Sequence, residues 1–263
     1  QKEQNQRMPL ARLGLLGVAV LAICQAGVMT STVVASVLCA GGVLLLLAFL
    51  KLDAGSKNRI FPQGVLNPRT VSGSGLVMMS SLFMATIALT VYGPLLMYII
   101  FGAEPLVAGY IIALESLGWT VVAISTSGVS GRIEPRLIRL GSVLVSISMV
   151  GLIYAMPSGP LWLIALLSTI MGMGYGMSWS FVSKRIIANV SEAERTQASA
   201  SIPTFMRVSM ALGSALSGII ANFSGFSEDS SVEVAQNVAF WCFAAFVPLI
   251  LVGLFTAWRV SRE

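Results

Sequence analysis

The chain of 263 residues contains no histidine. It therefore lacks the side chain that most often ligates metals and most often serves as a general base near neutral pH. Charge is scarce as well: Asp, Glu, Lys and Arg make up 10% of the residues, where a soluble chain carries about a quarter. Cysteine is confined to Cys24, Cys39 and Cys242. All three fall within apolar stretches without metal-ligand spacing, so they read as small packed hydrophobes. No G-x-x-x-x-G-K-[ST] loop occurs, which excludes an ATP-driven pump within this chain. Asn189-Val190-Ser191 and Asn222-Phe223-Ser224 match the glycosylation acceptor in spelling only. No metal and no cofactor is expected, and an intramembrane enzyme is the function class least favoured.

Apolar residues supply 56% of the chain, and its mean hydropathy is +0.86. They gather in eight stretches, at 13–30, 33–50, 72–101, 106–127, 137–156, 160–183, 202–222 and 237–258. At 1.5 Å per residue each is long enough to cross a hydrocarbon layer of ~30 Å. The expected class is an all-α membrane protein with eight transmembrane helices. The sixteen bases occupy alternate gaps or the helix ends beside them: Lys2, Arg7 and Arg12; Lys51, Lys57, Arg59 and Arg69; Arg132, Arg136 and Arg139; Lys184, Arg185, Arg195 and Arg207; Arg259 and Arg262. The other gaps hold acids alone, Glu104 in one and Glu228, Asp229 and Glu233 in another. Basic loops stay cytoplasmic, so both termini are expected on that side. The net charge of +5 is thereby assigned to anionic lipid headgroups and not to nucleic acid.

Residues 1–52 form a cytoplasmic start and a two-helix hairpin, 53–71 a basic cytoplasmic loop punctuated by Pro62, Gly64 and Pro68, and 72–263 a six-helix bundle. The polar opening, Gln1 to Arg7, has no signal-peptide pattern and is expected to continue from a preceding part of a longer protein. Gly172 and Gly176 lie four apart in one helix, and Gly213 and Gly218 mark a small-residue stripe in another. Such faces let backbones approach closely, in static packing or in a moving helix pair.

Among the acids, Glu115 alone lies near the middle of an apolar stretch. A charged group there costs on the order of 2.5–3.5 kcal/mol on insertion scales, so it is a default functional candidate. It is suited to binding and releasing a proton or to pairing with a cationic ligand; the alternative is a hydrogen-bonded structural carboxyl. Trp119, at i+4 on the same face, can hold a lipophilic cation or simply pack. Tyr92, Tyr98 and Tyr110 are candidates for lining the same cavity, and Pro94 interrupts the hydrogen bonding of its helix. Arg207 is expected about one turn inside its helix, either snorkelling to the surface or pairing with an acid across the bundle.

Four passages, in this order, resemble the C-terminal half of a major facilitator superfamily transporter. Arg59-Ile60-Phe61-Pro62-Gln63-Gly64-Val65-Leu66-Asn67-Pro68-Arg69-Thr70 is similar to the "L-F-x-N-R-T" that opens that half. Gly93-Pro94-Leu95-Leu96-Met97-Tyr98 and then Gly102-Ala103-Glu104-Pro105-Leu106-Val107-Ala108-Gly109 resemble "L-P-L-Y-L-Q … G-x-S-P-x-x-A-G". Glu194-Arg195-Thr196-Gln197-Ala198-Ser199 resembles "E-R-G-x-A-S", and Arg207 with Gly213 sits like the Arg and Gly of "N-T-x-R-Q-x-G-G-A-x-G". The preceding hairpin resembles the central pair of the fourteen-helix drug/proton antiporter branch.

The resemblance implies helices seven to fourteen of a proton-coupled secondary transporter working by alternating access in the plasma or bacterial inner membrane. Its partners would be the bilayer, a small-molecule substrate, protons and an N-terminal six-helix bundle absent from this chain. Two positions depart from the family pattern: the loop Gly131-Arg132-Ile133-Glu134-Pro135-Arg136 lacks the D-R-x-G portion, and Glu115 stands where many relatives carry Pro. A metabolite transporter of the same superfamily, and a membrane scaffold or partner subunit without transport activity, are the alternative readings.

Overall fold

The structure is a computed structural model describing residues 9–29, 31–56, 59–61, 67–226 and 231–262. The polar opening to Arg7, Lys57, Pro62, Gly64, Glu228 and Asp229 lie outside them. Among the described residues the chain forms α-helices and no strand: α1 (Leu10–Ala26), α2 (Thr32–Ala54), α3 (Val71–Phe101), α4 (Pro105–Thr126), α5 (Glu134–Ser158), α6 (Leu161–Ala188), α7 (Arg195–Phe223), α8 (Val232–Ala244) and α9 (Val247–Val260). Short 3-10 turns, Gly131–Ile133 and Glu192–Glu194, lead into α5 and α7. In a bilayer every backbone polar group must be satisfied within the protein, and helices do this locally. Seven spans are long and apolar enough to cross a membrane, α8 and α9 together making one of them. The remaining apolar helix, α1, has 17 residues, so at 1.5 Å per residue it falls a little short of a ~30 Å layer.

Local chemistry sets the helix limits. The Thr70 side chain accepts a hydrogen bond from the Gly73 N–H at 3.1 Å and caps the start of α3. That helix runs through Pro94 and ends at Gly102, whose left-handed φ of 63° turns the chain. Ser191 donates to Glu194 at 2.8 Å ahead of α7. The eighth apolar stretch is divided at Ala245–Phe246, because Pro248 has no N–H to offer the Ala244 carbonyl. Several helices outrun their apolar stretches. The polar start of α7, from Arg195 through Thr196, Gln197 and Ser199, is already helical. Arg207 therefore sits about three turns inside the helix, deeper than the one turn expected from the apolar run alone.

The long helix α3 is the centre of the bundle, packed by α4, α6, α7, α8 and α9, while α5 joins α6 to the α8–α9 span. The hairpin α1–α2 rests mainly on α7 through α1. Close approach depends on glycine. A methyl group on Gly172 would overlap the Glu115 carbonyl, and one on Gly176 would lie 2.5 Å from the Trp119 carbonyl, so these two seat α6 against α4. Gly141 and Gly174 face each other in the same way between α5 and α6, Gly213 seats α7 on Met84 of α3, and Gly218 seats it on Gly27 at the end of α1. In lipid, such contacts supply dispersion attraction where no hydrophobic force acts between helices.

Polar ties gather at one end of the bundle. The buried Glu134 at the start of α5 pairs with Lys184 of α6 at 2.7 Å. Arg139 donates to the Ser261 hydroxyl at 2.6 Å, and Arg185 to the Val260 carbonyl at 2.5 Å. These bases meet the negative carbonyl end of α9. At the hairpin, Asp53 is 2% exposed. Its carboxylate pairs with Arg12 at 2.5 Å and accepts from the N–H groups of Ile60 at 2.8 Å and Phe61 at 2.9 Å. The Phe61 ring then lies between Phe49 and Phe205, and the Gln197 amide donates to the Arg59 carbonyl. Hairpin, loop and α7 are thus fastened at one point.

Candidate functional site: a mid-helix carboxyl beside an aromatic cluster

Glu115 is the eleventh residue of the 22-residue α4. The glycine crossing positions it: because Gly172 admits the Glu115 backbone and Gly176 that of Trp119, this turn of α4 lies directly on α6. Its side chain is half-buried, and among the described residues it has no hydrogen-bond or ion-pair partner. It lies within electrostatic reach of Tyr175 on α6.

One turn further along α4, Trp119 belongs to a group of four rings. Trp119 stacks on Tyr175 with centroids 5.2 Å apart, and Tyr175 stacks on Phe83 of α3 at 4.7 Å. Trp179 meets Trp119 at 5.8 Å and Phe83 edge-on at 5.4 Å. The Tyr175 hydroxyl lies 2.7 Å from the Thr86 hydroxyl, and Thr86 also donates to the Leu82 carbonyl at 3.0 Å. The tyrosine is held at both its ring and its oxygen. A half-buried carboxyl with no partner among the described residues, next to stacked rings, can exchange a proton or hold an organic cation against an aromatic face.

The tyrosines singled out from the sequence do not join this cluster. Tyr98 and Tyr110 are exposed, and Tyr92 is half-buried against the main core; none of the three makes a ring contact with Trp119. Tyr110 instead lines a cleft of about 620 Å³ along the outer face of α4, with Val107, Leu114, Leu117 and Thr120. Arg207 is exposed on α7, with no acidic partner among the described residues. No group of His, Cys, Asp or Glu able to hold a metal is found among the described residues.

Phe83, Tyr175 and Trp179 escaped the sequence reading. Two of them were within reach of it, since Tyr175 and Trp179 are four apart in Gly172-Met173-Gly174-Tyr175-Gly176-Met177-Ser178-Trp179. A glycine face that brings a neighbouring helix close also brings that helix's aromatic residues into contact with the rings beside the glycines.

No family model matches the sequence. The chain is 26% identical, over 267 aligned positions, to a probable multidrug-efflux transporter of Mycobacterium tuberculosis strain H37Rv, and equally to one of strain CDC 1551 / Oshkosh. Each alignment covers 98% of this chain and 54% of the relative. The chain thus spans about half the length of these relatives. Distant homology and an all-helical, multi-span fold agree on a multi-pass membrane protein.

Proposed function

We propose that this chain is the C-terminal portion of a proton-coupled secondary transporter of the major facilitator superfamily, exporting a small organic or drug-like molecule across the cell membrane by antiport. The observation that carries the proposal is the Glu115 carboxyl, mid-helix and without a partner among the described residues, one turn from the Phe83–Trp119–Tyr175–Trp179 rings. In this mechanism Glu115 takes a proton from one side of the membrane and yields it to the other. The rings hold the apolar body of the substrate, and an organic cation competes with the proton for the carboxylate. A further six-helix half completes the cavity, meeting the outer face of α4 and the end of α3 that bears the exposed Leu95 and Tyr98. The two halves rock about the midplane site to alternate access.

The test is Glu115→Gln in the complete transporter, reconstituted with an imposed pH gradient. Gradient-driven transport is expected to be lost while the yield of folded protein and its thermal stability stay at parent values. A Gln variant that transports substrate and moves protons like the parent overturns the proposal. One that does not fold assigns Glu115 a structural role and overturns it equally.

A further inference from the structure

At the basic end of the bundle, the start of α3 and the end of α9 enclose a cleft of about 220 Å³ lined by Arg69, Thr70, Ser74, Arg259 and Arg262. The three arginines reach it from two segments 190 residues apart in the chain. Arg259 donates to the Pro68 carbonyl at 2.7 Å, and its guanidinium lies over the Phe255 ring at 5.3 Å. Ser74 donates to the same carbonyl at 2.7 Å, and Thr70 donates to the Asn67 carbonyl at 3.1 Å. The cleft wall is therefore built and braced. The guanidinium groups of Arg69 and Arg262 are different: both residues are exposed, and neither has an acidic partner among the described residues.

Ordinary topology-setting charge accounts for some of this. The carbonyl end of α9 attracts Arg259, and bases outside the bilayer need no partner. It does not account for two exposed arginines, without a side-chain bond among the described residues, lining one cleft whose third cation is fixed. Each guanidinium presents a planar fork of donors that matches a phosphate oxyanion, and the positive end of α3 adds to their field. We propose that this cleft is a binding site for a phosphate group, either that of an anionic lipid headgroup lying at the same depth or that of a free phosphate.

Native mass spectrometry of the complete transporter tests this, with phosphatidylglycerol, phosphatidylcholine and inorganic phosphate as probes. The parent protein is expected to retain phosphatidylglycerol in preference to phosphatidylcholine. R69Q/R262Q should weaken that retention by about tenfold or more, the loss expected for removing two charge-assisted contacts. R132Q/R136Q removes the same charge from exposed residues around the start of α5, at this end of the bundle, and should leave retention within about twofold of the parent. Phosphatidylglycerol that excess inorganic phosphate does not displace identifies a lipid headgroup site. Phosphate bound by itself, and lost in R69Q/R262Q, identifies a free-phosphate site. Absence of both adducts, or equal loss in the two double variants, shows that no built site exists. Circular dichroism of each variant separates lost binding from lost fold.

Discussion

Two carboxylates in this chain receive opposite treatment. Asp53 is buried with a cation and two backbone N–H donors, whereas Glu115 is half-buried with no hydrogen-bond or ion-pair partner among the described residues. Removing the first takes one partner from Arg12 and strands the N–H groups of Ile60 and Phe61. Asp53→Ala is therefore expected to destabilise the protein by roughly 3–5 kcal/mol, the usual cost of breaking a buried pair. Asp53→Asn, which keeps an acceptor, should cost less. Glu115→Gln breaks no described bond and should leave stability nearly unchanged. Denaturant or SDS titration in micelles measures all three, and a Gln variant as unstable as Asp53→Ala would contradict the division. Tyr175→Phe removes only the contact with the Thr86 hydroxyl, at a cost of about 1 kcal/mol. The ring stack, and with it the proposed substrate affinity, should persist in a binding assay.

At the scale of elements, the glycines distinguish packing from open face. Gly172 meets the backbone of Glu115, while a methyl group on Gly109, on the same α4 that Gly172 contacts, would meet nothing within 4 Å. Gly172→Ala should therefore push α4 from α6 and cost about 1–3 kcal/mol. Gly109→Ala should be neutral, or stabilising by up to about 1 kcal/mol through helix propensity. The displaced α4 would also carry Trp119 off Tyr175, so indole fluorescence should change in the first variant and not in the second. Helix existence was legible in the apolar runs, since seven spans follow them. Helix ends were less so: hydropathy falls where water begins, but backbone hydrogen bonds continue, as Arg195 to Ser201 of α7 demonstrate.

For the whole molecule, the charge pattern and the fold meet at one end of the bundle. Lys184 with Glu134, Arg139 with Ser261, Arg185 with Val260 and Arg259 with Pro68 join helix ends that the alternation of basic gaps assigns to a single side. The orientation in the cell is then an experimental matter. In a background free of Cys24, Cys39 and Cys242, Glu104→Cys should react with a membrane-impermeant maleimide added to intact cells. Arg132→Cys should react only after permeabilisation, because the basic side is expected to be cytoplasmic. The reverse pattern would invert the topology.

The amino-acid sequence by itself determined the class, seven of the eight expected spans and the position of the mid-helix carboxyl, because these depend on hydropathy and spacing along one chain. Only the tertiary structure decided which side chains Glu115 has for neighbours. It placed Phe83, Tyr175 and Trp179 around Trp119 and left Tyr98, Tyr110 and Arg207 outside. It also converted Asp53 from a loop acid into a clasp, and brought Arg69 to Arg259 and Arg262. The physical reason is shared: these are contacts between segments that meet only in the folded chain, glycine-to-backbone approach seating the ring cluster, and no periodicity within a single helix records its partner.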